Sequence, residues 1–206
     1  MNKRVVLNLI GIFFVFLGVI ALINTFSLGN YYGVLWFCYF ALILIGIAIL
    51  SNSPKFLLAQ VNILTIPLIV WTIDFIYVLS TGNSFLGITD YFFSSEYLLS
   101  KLITLQHLFT IPLSLFAIWL MKRDKKSSWK SWQISFIEIA LIFLITRIFT
   151  SYESNINCVY HFCGNIEIPF YYPVAWFVLF FAMVLATDFL VRVIIKKRKQ
   201  DITKIF

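Results

Sequence analysis

The residues of this chain that could do covalent chemistry lie inside long apolar stretches. Cys38 supplies a thiol, and His107 supplies an imidazole that could take the thiol proton and leave a nucleophilic thiolate. Asp74 could orient His107 and favour its charged form, and Arg147 could bind an anionic headgroup or carboxylate. These residue types predict attack on an acyl carbonyl, with Cys38, His107 and Asp74 as catalytic residues. Arg147 is then the substrate-binding residue.

Each of these residues also has a structural interpretation. A single cysteine in an apolar helix usually packs as a small apolar side chain, and a single histidine there more often bonds to a neighbouring helix. Asp74 and Arg147 could simply pair with each other. Glu138 and Asp188 could pair with basic residues or neighbouring helices, or they could line an ion or proton path.

The other two of the three cysteines lie in the most polar stretch of the sequence, 151–170. Cys158 and Cys163 have a spacing at which a disulfide can close a small loop in an oxidising compartment. His161 between them makes the sequence resemble half of a metal site, but a zinc site needs about four ligands. The sequence therefore favours a disulfide over a metal site and leaves two free thiols as a further alternative. It predicts no metal and no other cofactor.

Six apolar segments carry these residues, at about 5–25, 31–50, 57–80, 98–121, 132–150 and 171–194. Each has about 19–24 residues, enough to cross a hydrocarbon core of about 30 Å as an α-helix. The chain is 61% hydrophobic and 12% charged, whereas soluble domains average about 25% charged residues. The prediction is an all-α polytopic membrane protein in which residues 1–206 form one six-helix bundle.

Lysines and arginines cluster on one side of these segments. They occupy the N-terminus (Lys3 and Arg4), the second loop (Lys55), the fourth loop (122–130) and the C-terminal tail (196–204). Because basic residues mark the cytoplasmic side of a membrane, both termini are predicted to be cytoplasmic. This orientation accounts for the net charge of +7 and disfavours nucleic acid as a partner. Membrane lipids are the predicted partners, since anionic headgroups can neutralise the basic tail.

Three loops then face outward, at about 26–31, 81–97 and 151–170. At a rise of about 1.5 Å per residue, the proposed site residues lie roughly 5–13 Å below the outer surface, in the same half of the bilayer. No small-residue cleavage site follows the first segment, so we interpret it as an uncleaved helix rather than a signal peptide. The outward loops contain no N-glycosylation sequon, which is compatible with the plasma membrane of a prokaryote.

Two short sequences around the proposed nucleophile and base resemble a known family. Residues 32–40 (YGVLWFCYF) place Cys38 early in the second segment, and residues 107–112 (HLFTIP) place His107 in the fourth. Residues 66–72 add a weaker match in the third segment. In these sequences and in its six segments the chain resembles the androgen-induced-protein family of intramembrane hydrolases. That resemblance implies cleavage of lipid esters.

The nucleophile of that family is a threonine, whereas this chain has Cys38 at the corresponding place. A cysteine there is similar to the nucleophile of a related group of six-span acyltransferases. The resemblance therefore implies a lipid-directed acyl hydrolase or acyltransferase, with a couple of Cys38 and His107 in the outer half of the bilayer. The alternative is a small non-enzymatic transporter, channel or membrane assembly partner, in which the same residues form a polar path or structural bonds.

Overall fold

The computed structural model describes residues 2–121, 131–163 and 171–205, with side chains up to residue 194. Its α-helices are α1 (Lys3–Ser27), α2 (Phe37–Leu50), α3 (Pro54–Thr81), α4 (Asp90–Ser94), α5 (Leu98–Thr104), α6 (Gln106–Leu120), α7 (Ser131–Phe149) and α8 (Tyr172–Ile205). Two short 3-10 helices, Tyr32–Leu35 and Ile156–Cys158, precede α2 and follow α7. No strand occurs in these ranges, so the described chain is all-helical.

Five helical stretches are long and apolar enough to cross a membrane: Lys3–Ser27, Pro54–Thr81, Leu98–Leu120, Ser131–Phe149 and Tyr172–Ile194. They coincide with five of the six predicted segments. Large apolar side chains on them are exposed, such as Phe16 at 63% and Ile148 at 70%. Such surfaces are compatible with an integral membrane protein, because a lipid-facing helix buries its apolar residues in the bilayer.

The second predicted segment, 31–50, is only partly one helix. α2 has 14 residues, and this length corresponds to about 21 Å, which is shorter than a hydrocarbon core of about 30 Å. Before it, the backbone forms the 3-10 helix, where Oδ1 of Asn30 accepts a hydrogen bond from the Gly33 N–H at 2.8 Å. This part of the six-segment prediction therefore corresponds to a short apolar helix with an irregular lead-in.

The fourth predicted segment, 98–121, is interrupted at Leu105, between α5 and α6. There the Leu108 N–H bonds to the Leu105 carbonyl at 3.1 Å, a 3-10 pattern that is one residue tighter than an α-helix. The Thr104 carbonyl consequently loses its usual helical partner. Nδ1 of His107 lies 2.6 Å from that carbonyl and takes the partner's place. The interruption thus fixes the orientation of a predicted site residue.

α3 lies at the centre of the bundle and contacts α2, α6, α7 and α8. One apolar cluster packs mainly α1, α2 and α6 against α3, and a second cluster packs α7 and α8 against it. α1 and α2 approach each other closely, since a Cβ atom added at Gly46 would lie only 2.6 Å from the Gly11 carbonyl oxygen. Small residues of this kind allow close backbone packing between membrane helices.

A polar layer joins α3, α7 and α8 at the end of the bundle away from the loops 82–97 and 151–163. Nε2 of Gln60 donates to both carboxylate oxygens of Glu138, at 2.9 and 2.8 Å. Asp188 accepts a hydrogen bond from Asn62 at 3.2 Å and forms an ion pair with Arg192 at 2.6 Å. Glu138 therefore bonds to a neighbouring helix, and Asp188 bonds to a neighbouring helix and to a basic residue, as their structural interpretation predicts.

Candidate functional site

A cavity of about 770 Å³, the loop-end cavity, opens at the end of the bundle that carries the loops 82–97 and 151–163. Its wall is formed by both loops and by residues of α1, α2, α3, α4, α5 and α6. Cys38 and His107 both line it. The volume lies within the range of about 300–1,000 Å³ that is typical of small-molecule sites. Aromatic side chains alternate in its wall with hydroxyl, amide and basic groups.

Cys38 is the second residue of α2, and its half-buried thiol is free. The start of this helix is held by Asn157, which comes from the distant 151–163 loop. Oδ1 of Asn157 accepts a hydrogen bond from the Phe37 N–H at 2.8 Å, and its Nδ2 donates to the Leu35 carbonyl at 2.9 Å. These bonds satisfy backbone groups that the irregular lead-in would otherwise leave unpaired. Cys38 is therefore positioned by the loop as well as by its own helix.

His107 is 9% exposed and stacks on Trp71, with the ring centroids 4.6 Å apart. Its Nδ1 faces the Thr104 carbonyl oxygen at 2.6 Å, and a carbonyl oxygen can only accept a hydrogen bond. The ring proton is therefore assigned to Nδ1, which leaves the lone pair on Nε2. A general base for a thiol needs a lone pair of this kind.

Cys38 and His107 share the loop-end cavity, but no hydrogen bond joins the Cys38 sulfur to the His107 ring. A nucleophile and its base must come within hydrogen-bond reach, although this distance is often longer before substrate binds. The structure thus brings the two residues to one cavity without joining them as a couple.

Asp74 serves the 82–97 loop rather than His107. Its side chain is fully buried, and its two carboxylate oxygens accept hydrogen bonds from the Leu86 N–H at 2.7 Å, the Thr89 N–H at 2.9 Å and the Thr89 hydroxyl at 2.8 Å. His107 takes its hydrogen bond from the backbone instead. These contacts engage both carboxylate oxygens of Asp74 with the loop, and its role as the residue that orients His107 stays a prediction.

Arg147 similarly supports the 151–163 loop. Its Nε donates to the Val159 carbonyl at 3.1 Å, and its guanidinium lies over the Tyr160 ring, 4.5 Å from the centroid. It does not belong to the residues that line the loop-end cavity. The guanidinium is thus engaged with the loop outside the cavity wall, and its role in substrate binding stays a prediction.

A disulfide joins Cys158 to Cys163, whose Cα atoms are 5.3 Å apart, and both residues line the loop-end cavity. Asn155 holds the loop that the disulfide closes, since its Nδ2 donates to the His161 carbonyl at 2.9 Å and its Oδ1 accepts from the Tyr160 N–H at 3.0 Å. Within the described part of the chain, no three His, Cys, Asp or Glu side chains are grouped so that they could hold a metal ion.

The cavity wall also contains polar residues that the sequence did not single out. Nδ2 of Asn24 donates to the Ser100 hydroxyl at 3.0 Å and thereby links α1 to α5. Nε1 of Trp71 donates to the Tyr91 hydroxyl at 3.0 Å, and desolvation raises the pKa of Tyr91, which keeps the phenol protonated. Lys101 carried a usable signal, since it is a lysine near the outward end of a predicted segment, where the charge pattern has few others.

The arrangement can hold a small amphiphilic molecule beside a thiol, an imidazole lone pair and a lysine. Its apolar wall suits a hydrocarbon chain, and its hydroxyl and amide groups suit a polar head. Comparison with known proteins adds no assignment to this geometry: no family model, curated protein or solved structure matches this chain.

Proposed function

We propose that this protein crosses the membrane six times, with both termini in the cytoplasm and the loop-end cavity at the outer surface. The support is the charge asymmetry of the loops together with five long apolar helices and the shorter α2. Residues 32–50 complete the second crossing, because the irregular lead-in to α2 has its backbone groups bonded to Asn30 and Asn157.

Reporter fusions at each connection test this topology. The turn 51–53 and the connection 122–130 should report the cytoplasm, and the loops 82–97 and 151–163 should report the outer side. An outer signal from a fusion in 122–130 would refute the orientation. If fusions at the two ends of α2 report opposite sides, α2 crosses the membrane. If they report the same side, the segment enters and leaves on one side.

For the activity, we propose a lipid-directed acyl hydrolase or acyltransferase of the kind that the family resemblance implies. The observation that supports it is the presence of Cys38 and His107, from different helices, in the wall of one cavity of suitable size. The tautomer of His107 adds to this support, because Nε2 carries the lone pair. Side-chain rotation on substrate binding must then bring the thiol within reach of Nε2.

The reaction follows from those two groups. Nε2 of His107 takes the proton of the Cys38 thiol, and the thiolate attacks the acyl carbonyl. The ester bond breaks, the acyl group stays on sulfur as a thioester, and the leaving alkoxide takes the proton from His107. Water then releases the acid in a hydrolase, or an acceptor alcohol takes the acyl group in a transferase. Acidic partners for His107 are not required, since the Thr104 carbonyl already orients the ring.

An acyl-transfer assay on the purified protein tests this activity. A lipid ester with an alkyne-tagged acyl chain should label the protein through a bond that neutral hydroxylamine cleaves, as expected for a thioester. Cys38→Ala should abolish the label, and His107→Asn should slow labelling by roughly a hundredfold, the usual contribution of a general base. His161→Asn is the matched control, because His161 is a second histidine of the same cavity wall. Equal labelling of the parent and of Cys38→Ala would remove Cys38 as the nucleophile.

A non-enzymatic membrane protein is the second candidate, and a specific observation favours it. Cys38 and His107 are not hydrogen-bonded, while Asp74 and Arg147 are engaged with loops. In this alternative the loop-end cavity binds an amphiphile for transport or presents it to an assembly partner. Saturable lipid binding without acyl transfer, unchanged in Cys38→Ala and His107→Asn, would support the alternative over the enzyme.

A further inference from the structure

The charge of the loop-end cavity points to one chemical class of ligand. Its described lining contains Lys101 and the two histidines but no aspartate or glutamate. The Lys101 ammonium lies 5.9 Å from the centroid of the Phe92 ring, and it forms no ion pair or hydrogen bond with the described residues. Lys101 is half-buried in the wall of this open cavity, and an anionic group of a ligand there would give its ammonium a partner of opposite charge.

Hydroxyl groups line the same cavity as this ammonium. Ser100 precedes Lys101, and its hydroxyl oxygen accepts a hydrogen bond from Asn24, so the hydroxyl proton remains available for a ligand. Tyr91 also lines the cavity, and its hydroxyl has Trp71 and Thr104 as hydrogen-bonding neighbours. A positive charge and a hydroxyl donor in one cavity wall can together bind a phosphate or a carboxylate.

The apolar part of the wall shows what the anion belongs to. Trp36, Ile88 and Phe162 line the same cavity and offer no hydrogen bond to a small free ion except through the indole nitrogen. A free phosphate would leave this surface in contact with water, whereas a hydrocarbon chain would cover it. The wall therefore matches an amphiphile with one anionic group better than an inorganic ion.

We propose that Lys101 forms a subsite for the phosphate or carboxylate of an amphiphile that occupies the loop-end cavity. This subsite rests on the proposed lipid-directed function and names its substrate class: single-chain lipids with an anionic head. Lys101 positions the ligand by its charge, and the Ser100 hydroxyl donates a hydrogen bond to the same group. Cys38 and His107 then face the part of the ligand that lies deeper along the wall.

Binding of ether-linked lipids tests the subsite without depending on acyl chemistry. The full-length protein in maltoside micelles is titrated with alkyl lysophosphatidic acid, with the matching alkylglycerol and with inorganic phosphate alone. Binding is followed by intrinsic fluorescence, since Trp36 and Trp71 line the cavity. These ligands have no acyl ester to cleave, so the result is separate from the outcome of the acyl-transfer assay.

We expect the phosphate-bearing lipid to bind on the order of tenfold more tightly than the alkylglycerol, the effect of one charge-assisted hydrogen bond of about 1.4 kcal/mol. Lys101→Gln should abolish this difference, and Lys101→Arg should preserve most of it. Lys55→Gln is the matched control, because Lys55 is another half-buried lysine near a helix start but lies outside the cavity wall. Added salt should weaken binding of the phosphate lipid in the parent and not in Lys101→Gln.

Two results would overturn the subsite. One is equal affinity of the parent for the phosphate lipid and the alkylglycerol. The other is a preference for the phosphate lipid that survives in Lys101→Gln when this variant keeps the parent's melting temperature. Binding of inorganic phosphate as tight as that of the lipid would overturn the amphiphile as the occupant.

Discussion

Replacing Asp74 by Asn tests whether this residue holds the 82–97 loop or serves the proposed chemistry. The carboxylate accepts three hydrogen bonds from Leu86 and Thr89, at 2.7, 2.9 and 2.8 Å, in a fully buried position. Hydrogen bonds to a charged group contribute about 1.5–3 kcal/mol each. The amide keeps one acceptor oxygen, but its NH₂ group must face either the Leu86 N–H or the Thr89 N–H, and both of these are donors. We therefore expect a loss of about 3 kcal/mol in the stability of the loop.

Hydrogen–deuterium exchange in detergent measures this loss directly. A change of about 3 kcal/mol raises the open population of the loop on the order of 100-fold, and the amides of Leu86 and Thr89 should report it first. Asp90→Asn is the control, since Asp90 is an exposed acid of the same loop. Unchanged exchange in Asp74→Asn, together with a selective loss of acyl transfer, would refute the structural role and restore Asp74 as a partner of His107.

Three further changes have expected outcomes from the same geometry. Arg147→Gln should destabilise the 151–163 loop by about 1–2 kcal/mol, because the hydrogen bond to the Val159 carbonyl and the cation–π contact with Tyr160 are lost. The rate of proteolysis of the loop measures this loss. Reduction of the disulfide should destabilise the protein by about 2 kcal/mol and make the Cys38 thiol react faster with a membrane-impermeant maleimide. Gly46→Ala should separate α1 from α2 and lower stability by about 1–3 kcal/mol, as measured by melting in detergent, because the new Cβ would lie 2.6 Å from a backbone oxygen.

Each of these outcomes has its own comparison. Arg147→Lys keeps the charge and should restore part of the loop's resistance to proteolysis, whereas full resistance in Arg147→Gln would contradict the anchoring role. Maleimide kinetics are compared with those of the Cys38→Ala variant, and identical rates before and after reduction would show that the disulfide does not limit access. Ile47→Ala, at a position 47% exposed beside Gly46, should change the melting temperature less than Gly46→Ala does.

The all-helical class and the five long helical stretches could be predicted from the sequence, because the length of an apolar segment is a local property. A stretch such as 57–80 has no charged residue before Asp74. In lipid its backbone N–H and C=O groups must form hydrogen bonds within the segment, and an α-helix satisfies them all. The interruptions were harder to predict. Leu105 has no proline or glycine beside it, and the 3-10 step there occurs together with the bond between His107 and the Thr104 carbonyl. Hydropathy does not distinguish such a step from a continuous helix.

The candidate site was only partly predictable, since depth along a helix does not determine which way a side chain faces. Cys38 and His107 were placed at similar depth, and both line the loop-end cavity. Asp74 and Arg147 were placed at comparable depth too, but their partners are loop groups whose conformation no hydrophobic pattern encodes. Lys101 could not be predicted as a site residue, because a lysine close to the end of an apolar segment is also typical of the membrane interface.

Asn157 shows most clearly why a single sequence could not give the geometry of the site. It lies about 120 residues after the helix start that it holds, and it bonds on both sides of that start, to Leu35 and to Phe37. Its backbone adopts a positive φ of 55°, a conformation that asparagine tolerates better than most residues. The neighbouring Cys158 is tied into the disulfide. The position of the Cys38 thiol therefore depends on the order of the 151–163 loop, and we expect reduction of the disulfide to alter the cavity wall beside it.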